Sequence, residues 1–161
     1  METLVQELTH GLGDRQQIIR VLTRLLAAMI LGGIIGVQRE RIGKPAGFRT
    51  HMLVCLGTAV FVITGSGVGM AFDAMSRVIQ GIITGIGFIG AGAILKLESE
   101  EEIKGLTTAA GIWMTAAVGI TAGLGAIGIA VICTVLTLII LAVAGPLEDL
   151  MRKRRGASQK R

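Results

Sequence analysis

The chain has 161 residues and a formal net charge of +5; 52% of its residues are hydrophobic, 3% are aromatic, none is Tyr and 24 are Gly. A soluble domain of this size has no interior able to hide several long uncharged segments, so the composition excludes an ordinary water-soluble fold. Membrane helices accommodate such glycine, because small residues let backbones approach where no water drives helices together.

In chain order, residues 1–17 place Leu4, Leu8 and Leu12 at helical spacing and predict a short interfacial helix. The first transmembrane helix is expected over residues 18–38, around an apolar stretch broken only by Arg24. Arg39, Arg41, Lys44 and Arg49 follow that stretch instead of preceding it, which argues against a cleaved signal peptide. Two further uncharged stretches predict helices over residues 50–72 and 76–97. Residues 105–147 form one uncharged run of 43 residues. As a single straight helix it would be about 65 Å long, twice a hydrocarbon core of about 30 Å. It must fold back, and residues 121–126 are the natural place, giving helices over 106–124 and 126–147. The expected architecture is therefore all-α: a five-helix transmembrane domain over residues 18–147, followed by a basic tail over 148–161.

Orientation follows the Lys/Arg bias. Arg39, Arg41, Lys44, Arg49, Lys96, Lys104 and the tail residues Arg152, Lys153, Arg154, Arg155, Lys160 and Arg161 fall on one side, against Arg15, Arg20 and Arg77 on the other. The positive-inside rule puts the amino terminus outside and the carboxyl terminus in the cytoplasm. The net charge then reflects topology and anionic headgroups, and nucleic acid is not an expected partner.

Glycines four apart, Gly32/Gly36, Gly65/Gly69, Gly81/Gly85 and Gly119/Gly123, make flat helix faces. The third helix adds Gly87, Gly90 and Gly92. Packing within the monomer accounts for most of them; a second subunit or another membrane protein is the alternative occupant, and a homodimer or larger homo-oligomer is expected. Arg24, Asp73 and Arg77 are expected at similar depth on the outer side, as an Arg24–Asp73 ion pair completed by Arg77. Snorkelling of the arginines to headgroups is the alternative. No acidic residue lies mid-span. Proton-coupled transporters and dehydrating cation pores usually keep a carboxylate or exposed carbonyls there. Glu40, between Arg39 and Arg41, is expected to be a local ion-pair partner. Glu98, Glu100, Glu101 and Glu102 are weak candidates for hydrated Mg²⁺, with a solvated charge run as the alternative. His51 and Cys55 are four apart, too few for a zinc site and without the third group a Cys–His nucleophile needs; Cys55 and Cys133 read as packing residues.

Three stretches carry a resemblance. The first is Gly43-Lys44-Pro45-Ala46-Gly47-Phe48-Arg49-Thr50-His51-Met52, preceded by Gly36 and Arg39-Glu40. The second is Ser76-Arg77, then Gly85-Ile86-Gly87-Phe88-Ile89-Gly90-Ala91-Gly92. The third is Gly105-Leu106-Thr107-Thr108-Ala109-Ala110-Gly111-Ile112-Trp113. Together they resemble the MgtC/SapB family of bacterial membrane proteins. The resemblance implies a five-helix inner-membrane protein with its carboxyl terminus inside. It also implies a regulatory role in growth at low magnesium and inside macrophages, linked to the ATP synthase. The motif positions it singles out are Arg39, Glu40, Lys44, Pro45, Gly47, Arg49, Thr50, Gly85, Gly87, Gly90, Gly92, Gly105, Thr107, Thr108 and Trp113. The resemblance departs at Thr107, where the family's namesake has an Asn, and longer members carry an ACT-like domain where this chain has its basic tail. The expected function is non-enzymatic modulation of magnesium, phosphate or proton homeostasis through contact with another membrane complex. No cofactor is expected, and Mg²⁺ enters as ligand or signal. The alternative is direct transport of Mg²⁺ or another small ion.

Overall fold

The computed structural model describes the backbone of residues 14–96 and 103–158, and side chains of residues 14–94 and 104–143. The expected interfacial helix and all four glutamates of the 98–102 cluster lie outside the described residues.

The described residues form five α-helices: α1 Arg15–Arg41, α2 Phe48–Gly67, α3 Phe72–Gly92, α4 Leu106–Gly123 and α5 Ile127–Ser158. The first four are long and apolar enough to cross a membrane, and α5 contributes the apolar stretch Ile127–Val143. Between α3 and α4 lies a two-residue antiparallel ladder, β1 Leu95–Lys96 against β2 Ile103–Lys104. The sequence reading expected no strand; this one closes the α3–α4 link without altering the all-α class.

Local chemistry sets the boundaries. Asp14 caps α1, accepting from the Gln17 amide at 2.8 Å. The link after α2 turns at Gly69 (φ +70°), with the Met70 amide returning to the Gly65 carbonyl at 3.2 Å. That link therefore falls before Phe72, and Asp73 lies in the first turn of α3 instead of between helices, where a carboxylate suits the positive end of the helix dipole. At the far end, α5 runs 32 residues through most of the expected tail. Gly145 and Pro146 weaken the helix where the apolar run ends and Pro146 donates no amide hydrogen bond, but the chain that follows is rich in strong helix formers such as Leu, Glu, Met, Lys and Arg and continues it.

The bundle is centred on α4, which packs on α1, α2, α3 and α5. Its core mixes small and branched aliphatic side chains: Ala28, Leu31 and Ile35 of α1, Cys55 and Ala59 of α2, Val118 and Ala122 of α4, and Ala130 of α5. Cys55 is fully buried there, as a packing residue. Threonine hydroxyls in the helices return to carbonyls one turn back, as Thr115 does to Gly111 at 2.8 Å and Thr134 to Ala130 at 2.9 Å. In lipid every such polar group needs an internal partner.

Candidate functional site: a buried arginine at the basic end of the bundle

Three buried stripes converge at the Lys/Arg-rich end. On α1 the stripe is Ala28, Leu31, Ile35 and Arg39; on α2 it is His51, Cys55, Thr58 and Val62; on α4 it is Thr108, Gly111, Thr115 and Gly119. Each repeats every three or four residues, so its last or first member is carried inward with the rest. That phase brings Arg39, His51 and Thr108 into the protein interior, with relative exposures of 2%, 0% and 2%.

Glycine makes the convergence possible. A Cβ on Gly32 would lie 2.6 Å from the His51 carbonyl oxygen, and one on Gly36 would lie 2.6 Å from the Phe48 Cα. The first turn of α2 can therefore sit directly on α1. The intervening loop is built by its motif. The Lys44 amide bonds the Arg39 carbonyl at 3.1 Å and Gly43 takes φ +68°, closing α1. Glu40 then reaches across, its Oε2 accepting from the Phe48 amide at 2.8 Å. Gly47 precedes α2 with no side chain to cap it, so Glu40 supplies the cap. The sequence reading gave Glu40 an ion pair with its arginine neighbours; the structure gives it the positive end of a helix instead.

Arg39 donates from Nη2 to the Thr108 hydroxyl at 3.2 Å, while its Nε is buried without a hydrogen-bond partner. Among the described residues no carboxylate pairs with it. His51 donates from Nδ1 to the Gly47 carbonyl at 3.0 Å, which leaves Nε2 buried and unpartnered on the side facing Gly111. The arrangement is a sealed cationic centre with unused hydrogen-bonding capacity. Burial of an uncompensated guanidinium is expensive enough that such a residue is expected to be functional or to hold a partner.

The other motif positions are placed less centrally. Gly105 takes φ +99°, and a Cβ there would overlap the Ala93 carbonyl, so the turn into α4 requires glycine. Gly90 packs near Ala109, whereas Gly85, Gly87 and Gly92 have nothing within 4 Å of a would-be Cβ. Lys44, Pro45, Arg49, Thr107 and Trp113 are exposed and Thr50 is half-buried. Monomer packing therefore accounts for the glycines of α1 and α4 but leaves most of those on α3 unused.

At the opposite end the expected ion pair is absent among the described residues. Arg24 does face protein, but it donates from Nη1 to the Gly123 carbonyl at 3.0 Å. Gly123 is the last residue of α4, so Arg24 caps that helix and meets the negative end of its dipole. Asp73 and Arg77 are both exposed. A backbone carbonyl outcompeted the carboxylate, and sequence pairing rules cannot see such an acceptor. Among the described residues no group of three or more His, Cys, Asp or Glu is placed to hold a metal.

The MgtC family model matches residues 25–150. The chain is 44% identical over 130 residues to SrpB of Synechococcus elongatus, covering 74% of this chain and 71% of that protein. It is 42% identical over 127 residues to the putative magnesium transporter YhiD of Escherichia coli K12, covering 74% and 58%. It is 41% identical over 138 residues to MgtC of Brucella abortus, covering 84% and 57%. The chain thus spans little more than half the length of the latter two. No solved structure matches it significantly.

Proposed function

The chain belongs to the MgtC family, and from that premise we propose that it is a non-enzymatic, multi-pass protein of the bacterial inner membrane. It modulates magnesium, phosphate or proton homeostasis by contact with another membrane complex, the ATP synthase being the partner the family resemblance suggests. The relatives' names support a magnesium-related membrane function: one is called a putative magnesium transporter and others MgtC.

The observation that favours modulation over conduction is Arg39. A path for Mg²⁺ along the α1, α2 and α4 stripes would run into a buried guanidinium with no neutralising carboxylate among the described residues. Mg²⁺ sheds water reluctantly and wants oxygen ligands, preferably anionic, so a buried cation is a poor neighbour for it. Direct transport remains the second reading, supported by the name of the Escherichia coli relative. The same protein is proposed to self-associate through the unused glycine face of α3, where Gly81, Gly85 and Gly92 share one side and have nothing within 4 Å of a would-be Cβ.

Two measurements on the purified chain test the reading. One is Mg²⁺ flux into liposomes holding the protein alone; the other is recovery of membrane partners by the wild type and by Arg39→Gln. Modulation predicts a stable partner, weakened by Arg39→Gln, and no saturable flux. Robust, saturable flux without a partner would establish the transporter instead.

A further inference from the structure

Outside the buried centre, the molecule carries an open trough of about 660 Å³ along the outer face of α1, walled by Phe48 and Met52 of α2 and by Leu138 of α5. Its floor runs from Met29 past Gly33 to Arg41. At about 1.5 Å of rise per residue that is roughly 18 Å, comparable to one leaflet of a hydrocarbon core about 30 Å thick. Its lining is aliphatic, aromatic and thioether along this length and becomes polar only at the basic end, with Gln38 and Arg41. Lys44, in the loop after Arg41, and Arg49, beside Phe48, are exposed at the same end. Among the described residues none of these three cations pairs with an acid. The Gln38 Oε1 is buried without a partner.

We propose that this trough binds one anionic glycerophospholipid of the leaflet on the basic side, with an acyl chain along α1 and the phosphate at Arg41. Charge and orientation select this occupant. A second copy of the chain would enter the bilayer with the same orientation. Docked here, it would bring its own Arg41, Lys44 and Arg49 to the same depth, cation against cation. An anionic lipid brings an apolar chain and a negative headgroup in the order the trough offers them, and each basic residue near the surface adds attraction. The α3 face, where self-association is proposed, belongs to a different helix, so lipid and subunit do not compete.

The test uses the full chain in nanodiscs of phosphatidylcholine containing a small fraction of phosphatidylglycerol with a photoreactive acyl chain, followed by peptide mapping. Label is expected to concentrate on the α1 segment from Met29 to Val37 and on Met52. Unlabelled phosphatidylglycerol should displace it far better than phosphatidylcholine does. Arg41→Gln should weaken labelling about fivefold, the factor that loss of one basic contact with an anionic surface implies. Ile34→Trp, a lining position 44% exposed, should fill the trough and abolish the α1 label at unchanged folded yield. Arg77→Gln, at the opposite end, should change nothing. Label spread evenly over the outer surfaces of α1, α3 and α5 would overturn the proposal, as would equal displacement by both lipids. So would crosslinking of the trough to a second copy or another protein. Should a variant fail to fold, the wild-type map and its lipid competition decide the matter alone.

Discussion

Helices α3 and α4 are both glycine-rich, and they use glycine in opposite ways. On α4 a Cβ at Gly119 would overlap the Thr58 hydroxyl and the Cys55 carbonyl, and one at Gly123 would lie 2.9 Å from the Ala59 carbonyl oxygen. There glycine is the condition for α2 to lie against α4 and for Thr58 to donate across to the Ala116 carbonyl at 3.2 Å. On α3 a Cβ at Gly81, Gly85, Gly87 or Gly92 would meet nothing within 4 Å, and Phe88 nearby is 83% exposed. Half of the α4 span is buried inside the monomer, against 11% of the α3 span. Glycine weakens a helix by about 0.5–1 kcal/mol relative to alanine, so each one needs a compensating contact or remains a net loss. The monomer supplies that contact on α4. On α3 the described residues supply none at these four positions, which is why self-association is proposed for that helix.

The largest effect that tests this contrast is expected at Gly119. Gly119→Ala should destabilise the fold by about 1–3 kcal/mol through overpacking, and Gly119→Leu should abolish folded yield. Thermal unfolding in mild detergent, with retention of the monodisperse peak, reads both. A Gly119→Ala protein as stable as the wild type would show that α2 can back away from α4, and the contrast would lose its stronger half.

At Gly85 the sign should reverse. Gly85→Ala should leave monomer stability unchanged or raise it by up to about 1 kcal/mol, because helix propensity improves and nothing is displaced. Gly81→Leu combined with Gly85→Leu should preserve folded yield while removing any oligomer held by this face. Mass measured in nanodiscs separates the two readouts. If the oligomer survives the double change, α3 is not its interface and the glycines need another partner.

How much of this was legible before the structure depends on the kind of partner involved. Helix number and the fold-back within residues 121–126 followed from lengths of uncharged chain, since a bilayer fixes how long a span can be, whereas the α2–α3 link falls earlier than those lengths imply because the chain turns at Gly69. The buried Arg39 was legible in principle. It falls in phase with Ala28, Leu31 and Ile35, and charge bias and motif membership alone do not reveal that phase. His51 and Thr108 likewise share the phase of Cys55 and of Thr115. The role of Glu40 was hidden because its partner is an amide hydrogen of the backbone, which every residue but proline carries. Glycine spacing alone could not separate α3 from α4. The pattern marks where a helix can dock, and only packing says whether one has.

The smallest expected effect is a coupling energy, the one between the outer charges. Arg24 and Asp73 invite pairing by depth and sign, yet Arg24 caps α4 at the Gly123 carbonyl and Asp73 stands exposed in the first turn of α3. Arg24→Ala should remove one charge-assisted hydrogen bond to a helix terminus, a loss of about 1–2 kcal/mol. The wall beside it is tight: a Cβ at Gly125, where φ is +87°, would lie 2.6 Å from the Arg24 Nη2. A larger residue at Gly125 should therefore mimic part of the Arg24→Ala loss. Asp73→Ala gives up only a dipole contact at an exposed position, about 0.3–1 kcal/mol. Because the two side chains serve different helix ends, the double mutant should equal the sum of the singles within about 0.5 kcal/mol. Thermal unfolding of all four proteins at one lipid composition makes the cycle. A coupling energy well above that limit would mean that Arg24 leaves the α4 terminus for Asp73 in the bilayer. The Gly123 carbonyl would then lose its side-chain partner, and the Leu124, Gly125 and Ala126 amides, which return to the Ile120, Ala122 and Thr121 carbonyls, would hold that terminus without it.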